Sequence, residues 1–177
     1  MRRACPILFV FVLLAGASAA HAQNLAFGRP VTASSDFPGW LAPYAVDADT
    51  VDTAWNAGNY GPAWIEVDLG SDVHIDCVEG LAAVSPPASF KHSVSGRTSA
   101  GVTYNLSVFL CSASNHDRVV IPCAAEPPAV RYVRVTSESP LSWIAWWDLR
   151  IFAGPGVPQS PTPAARSSWT RVKALYR

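Results

Sequence analysis

Residues 45–70 read AVDADTVDTAWNAGNYGPAWIEVDLG, and two patterns within them decide how the chain is read. Over residues 64–69, Ile65, Val67 and Leu69 share one face while Trp64, Glu66 and Asp68 share the other. A period of two marks a strand with one buried face. The earlier half packs Asp47, Asp49, Asp52 and Thr53 into seven residues and ends on Trp55. Carboxylates at short range, a hydroxyl and free backbone carbonyls are the donors that a hard cation such as calcium takes. An Asp-rich turn with no ion shows the same composition, because Asp favours turns.

Working outward, residues 24–35 (NLAFGRPVTASS) predict a short strand, with Pro30 at its edge or start. The DFPGW turn that follows carries Phe37 and Trp40. Large aromatics on a loop mark either a binding tip or a Trp folded back as a plug. Residues 72–81 form a further strand in which Ile75 and Val78, three apart instead of two, predict a bulge. Residues 104–110 alternate, so Tyr104, Leu106, Val108 and Leu110 are expected on one face. Residues 129–136 (AVRYVRVT) and 143–152 (WIAWWDLRIF) read as closing strands, with Trp143, Trp146 and Trp147 filling core and rim. No stretch before residue 160 has a helical period. Many short strands between turn residues predict an all-β sandwich.

The ends differ from this pattern. Arg2 and Arg3, the apolar run 7–14 and Ala20-His21-Ala22 fit a secretory signal peptide cleaved near Ala22. That run is too short to anchor the chain in a bilayer, so export to the periplasm or the extracellular space is expected. Residues 154–177 begin as a Pro-rich linker and finish as a short basic tail that could meet a protein partner. The stretch between, 23–165, holds seven bases against thirteen acids, a net charge of −6. No basic footprint for nucleic acid is present. Three cysteines follow the signal. Cys111 and Cys123, flanking 11 residues, are the expected disulfide, with Cys77 free; Cys77 bonded to either of them is the alternative.

The blocks A-x-D-x-D-x-x-x-T-x-W and G-N-Y-G-P-x-W-I-E-V-D-L-G, with NLA-x-G-x-P-V-T-A-S-S before them and the R-Y-V-R-V and W-x-A-W segments after, resemble the discoidin-like (coagulation factor 5/8 type C) domain. Family 32 carbohydrate-binding modules and fucose-binding lectins are related to it. The resemblance covers roughly residues 24–153 and implies a jelly-roll β-sandwich of the galactose-binding-domain-like fold. It also implies a structural calcium site: side-chain oxygens from Asp47 and Thr53, carbonyls from Tyr44, Asp49 and Thr53, and Asp148 where the family usually has Glu. The family usually has Gly at the position of Ala48, so a left-handed backbone there would cost about 1 kcal/mol. In relatives, loops at one end of the sandwich bind sugars or lipid head groups. The corresponding candidates are Phe37 and Trp40 for stacking, with His92 and Arg97 for hydrogen bonds.

No G-x-S-x-G elbow or H-E-x-x-H helix is present, and His74, His92 and His116 fall on separate segments. The expectation is a secreted, non-catalytic module that binds glycans, with a surface adhesion module for a protein partner as the alternative.

Overall fold

A computed structural model describes residues 23–124 and 127–153; the expected signal peptide and the linker and tail lie outside them. The strands are β1 (Val31–Ala33), β2 (Trp55–Asn56), β3 (Ala63–Val73), β4 (Ile75–Ala82), β5 (Ala88–Arg97), β6 (Thr103–Ala113), β7 (Arg118–Pro122), β8 (Val130–Glu138) and β9 (Ala145–Ala153). One 3₁₀ helix, Ala42–Val46, follows β1. The strands pair antiparallel into a five-stranded sheet, β1-β3-β8-β5-β6, and a four-stranded sheet, β2-β9-β4-β7. The two sheets make a jelly-roll sandwich, as expected.

The alternation in β3 does what its period requires. Ile65, Val67 and Leu69 are buried, joined by Val94, Val133 and Val135 from the same sheet. Ile75, Val78, Ile121, Leu149 and Ile151 meet them from the other. Each such side chain contributes about 1.5–3 kcal/mol when fully buried. Close packing also fixes Gly80, where a Cβ would overlap the ring of Trp146. The bulge expected in β4 is present: the register against β9 shifts between Ile75 and Cys77, and both Ile75 and Val78 reach the core.

Strand β6 departs from its expected face. Its register against β5 shifts between Val94 and Ser95, which reverses the side on which the following residues lie. Leu106 is buried, whereas Val108 and Leu110 point out. Strand β7, five residues long, pairs with β4 and completes the four-stranded sheet. The domain closes on itself where it starts: Asn24 bridges to Phe152, and the Leu25 N–H donates to the Ile151 carbonyl at 2.8 Å.

The disulfide expected between Cys111 and Cys123 is not formed. Cys111 lies on β6, at an edge of one sheet, and Cys123 directly follows β7, at an edge of the other. Cys77, Cys111 and Cys123 are all free thiols, each half-buried and raised in pKa chiefly by burial, Cys123 to about 12.

Candidate functional site

Two loops build one end of the sandwich. In residues 34–41, Asp36 Oδ1 accepts the Ala42 N–H at 2.9 Å, and Phe37 and Trp40 close a two-residue bridge. This loop is zipped to residues 56–61. The Phe37 N–H donates to the Asn56 carbonyl and the Asn56 N–H to the Trp40 carbonyl. Asn59 Nδ2 donates to Ser35 Oγ, and the indole of buried Trp55 donates to the Ser35 carbonyl. The turn is thereby rigid although it is irregular.

Its aromatics meet partners from elsewhere. Phe37 is edge-on to Trp143 at 5.4 Å, and Trp40 is edge-on to Trp147 at 6.0 Å. His116 stacks on Trp147 at 5.0 Å, while the Trp147 indole donates to Asn115 Oδ1 at 2.8 Å. His116 sits in the left-handed region (φ 65°), and a ring nitrogen lies 3.2 Å from the Thr50 carbonyl. Phe37 and Trp40 keep 39% and 37% of their surface exposed. Neither reading of Trp40 holds alone: it is braced and still presents a ring. Trp143, Trp147 and His116 were not marked as site residues in the sequence, because their partners come from other loops.

His92 and Arg97 do not join this cluster. His92 lies inside, 1% exposed, with Nδ1 2.8 Å from Ser137 Oγ and its ring stacked on Phe90. Burial lowers its pKa to about 4. It borders a cavity of about 10 Å³ beside Trp146, and its Nε2 has no hydrogen-bond partner among the described residues. Arg97 lies on the outer face of the five-stranded sheet. It donates to Glu66 Oε1 at 3.0 Å and lies over the Tyr132 ring at 3.8 Å. Arg134 takes the other Glu66 oxygen and covers Trp64, while Arg131 grips Asp68 through two bonds.

The acidic turn lies within electrostatic reach of Asp148 on the last strand. Asp47 Oδ1 accepts the Asp49 N–H at 2.8 Å and its Oδ2 accepts the Thr53 hydroxyl at 2.7 Å. Asp49 Oδ1 accepts the Val51 and Asp52 N–H groups, which lowers its pKa and commits that side chain to the turn. Ala48 is left-handed at φ 65°, the strained conformation expected where the family usually has Gly. Asp148, on β9, is 1% exposed. Its Oδ2 accepts from Arg150 Nε at 2.6 Å, and its Oδ1 has no hydrogen-bond partner among the described residues. Burial raises its pKa, and the nearby Asp47 charge adds to this. Tyr44 belongs to the 3₁₀ helix that leads into the turn. Among the described residues no three His, Cys, Asp or Glu side chains group as a metal cluster, so an ion here would draw further ligands from carbonyls. A buried carboxylate oxygen without a donor, close to a second carboxylate, fits a cation.

The F5/8 type C domain family matches residues 30–151. Solved structures share the fold. The family 32 CBM from C. perfringens NanJ, in complex with galactose, is 14% identical at a TM-score of 0.61, covering 71% of this chain and 93% of its own. CpGH89CBM32-5 from Clostridium perfringens, in complex with GalNAc-β-1,3-galactose, is 19% identical at 0.62, covering 74% and 100%. Chitosan-binding module 2 from the chitosanase/glucanase of Paenibacillus sp. IK-5, in complex with chitotriose, is 23% identical at 0.57, covering 73% and 100%. No curated relative matches. With two facing antiparallel sheets, the acidic turn and a family match over most of its length, the chain is a member of the F5/8 type C domain family.

Proposed function

We propose that this chain is an exported, non-catalytic carbohydrate-binding module whose sugar site is the aromatic end formed by Phe37, Trp40, Trp143, Trp147 and His116. The observation that carries this reading is the pair of braced, part-exposed aromatic contacts, Phe37–Trp143 and Trp40–Trp147. A rigid ring offers a flat apolar face to sugar C–H groups at little entropic cost, while Asn59, Asn115 and His116 lie near to serve hydroxyls. The fold is shared with modules solved with galactose and other saccharides. A structural calcium ion belongs to this reading. Asp47, Thr53 and Asp148 would hold it with carbonyls of Tyr44, Asp49 and Thr53, and it would tie the turn to β9.

Catalysis is disfavoured by the placement of the histidines. His92 contacts Ser137 but is sealed in the core, and its other nitrogen meets no carboxylate. His74 contacts the Pro127 carbonyl, and His116 is stacked on Trp147. The signal-like residues 1–22 support the export part of this reading. No helix among the described residues is long and apolar enough to cross a membrane.

Titration of the full chain with galactose and N-acetylglucosamine, followed by calorimetry, tests the site. Trp40→Ala is expected to weaken binding about tenfold, the worth of one aromatic stack. Arg97→Ala should leave it unchanged. Equal losses in both variants would move the site to the sheet face, and binding of neither sugar would remove the reading.

A further inference from the structure

A second concave surface lies beside this end. A groove of about 470 Å³ opens on the outer side of the five-stranded sheet, lined among others by Tyr60, Ser89, Lys91, Leu110, Glu138 and Ser139. That volume is in the range of ligand sites, roughly 300–1,000 Å³. Tyr60 and Leu110 are 52% and 72% exposed, so two apolar surfaces face solvent across it. Between them Lys91 Nζ donates to Glu138 Oε1 at 2.8 Å, with both side chains about half exposed.

The chemistry of these walls is specific. The ammonium group keeps donors to spare and the carboxylate keeps acceptors. The pair carries no net charge. Groups that donate and accept together, flanked by apolar faces, match vicinal hydroxyls on a ring whose other side is C–H. A cation or an anion would instead meet one repelling partner of the pair.

The groove also continues into the aromatic end. The Ser139 N–H donates to the Tyr60 carbonyl at 3.0 Å, tying its two walls together. Gly61, with φ 94°, passes so close to β8 that a Cβ would sit 2.6 Å from the Ser137 carbonyl; only glycine seats Tyr60 there. From Pro140, at the groove, the chain reaches Trp143 in three residues, a span of at most about 11 Å. On the other wall, Asn59 adjoins Tyr60 and bonds Ser35 at the base of the Phe37 loop.

The geometry points to this groove as a subsite for the second and third rings of a neutral oligosaccharide whose first ring occupies the aromatic end. It rests on the sugar-binding reading above. No side chain in it belongs to the Phe37–Trp143 or Trp40–Trp147 cluster. Its role is chain length, not first-ring recognition.

Calorimetry on the full chain tests it with two neutral sets: galactose against GalNAc-β-1,3-galactose, and N-acetylglucosamine against its β-1,4-linked trimer. In at least one set the longer sugar is expected to bind about tenfold tighter, the gain of one further stacked and hydrogen-bonded ring. Tyr60→Ala and Lys91→Met should each bring that ratio to within about twofold while leaving the monosaccharide unchanged. Tyr60→Phe should restore it. Trp40→Ala should weaken short and long sugars alike. A longer sugar that gains nothing, or a gain that survives both groove variants, overturns the subsite and leaves the aromatic end standing. Failure of every sugar to bind removes both. Unfolding temperatures of the variants separate lost contact from lost fold.

Discussion

Two groups of acids in this domain are treated in opposite ways. On the outer face of the five-stranded sheet, Glu66 and Asp68 are met by Arg97, Arg134 and Arg131, and two of those guanidiniums also cover Tyr132 and Trp64. In the turn, Asp47, Asp49 and Asp52 form no salt bridge among the described residues. Asp148, on β9 and within electrostatic reach of Asp47, shares Arg150 with Glu79, and its Oδ1 has no hydrogen-bond partner among the described residues. The strands close their own charges; the turn leaves its charges open. The difference separates acids neutralised by arginines from acids held by backbone and hydroxyl donors of their own turn. Arg97 belongs to the neutralised group, paired with Glu66 and lying over Tyr132.

The largest expected effect must be removed before that contrast can be measured, because it comes from neither group. Unfolded, the His92 imidazole takes up a proton near pH 6.5; folded, only near 4. Stability should therefore fall as pH drops from about 6.5 towards 4, by about 3 kcal/mol in all. Urea unfolding at a series of pH values should show this slope in the native chain and lose it in His92→Gln. A slope that persists in this variant would overturn the assignment to His92.

Calcium then separates the two groups of acids. At a hundredfold excess over its dissociation constant the ion should stabilise the fold by about 2.7 kcal/mol. EDTA should reverse the rise in Tm, and Asp47→Ala should abolish it. Asp68→Asn should leave it intact, since Asp68 already has its arginine. If calcium raises Tm in the Asp47 variant too, the open turn is only a turn.

The smallest effect belongs to the closed face. Asp68→Asn should cost about 0.5–1 kcal/mol at neutral pH, the worth of a part-exposed ion pair. Arg131 holds the Asp68 carboxyl below its usual value of 3.8. The contribution is therefore complete above that value and disappears as pH falls through the lower, folded one. Below it, native chain and variant should unfold alike.

Much of the fold was legible where side-chain period and burial coincide. Ile65, Val67 and Leu69 announced β3, and the three-residue step from Ile75 to Val78 announced the bulge in β4. Strand β6 was misread because one shifted register, invisible in its own residues, reverses which side faces the core. Strand β7 was too short to signal itself. In the site, Asp47 and Thr53 stood out by density, but Asp148 lies 101 positions beyond Asp47 and was reached only through the family resemblance. Trp143 and Trp147 looked like core residues because a tryptophan's partners across a sandwich are not written next to it. His92 followed the family pattern onto a strand, but its inward side was set by the register of β5.

The bridge from Asn24 to Phe152 has a mechanical consequence. The polypeptide enters and leaves the folded unit side by side, so whatever follows residue 153 departs from the place where the domain begins. Force applied between residues 24 and 152 falls first on this bridge and on the Leu25–Ile151 bond, which can be peeled apart one at a time. The loops that carry the aromatics take no part of that load.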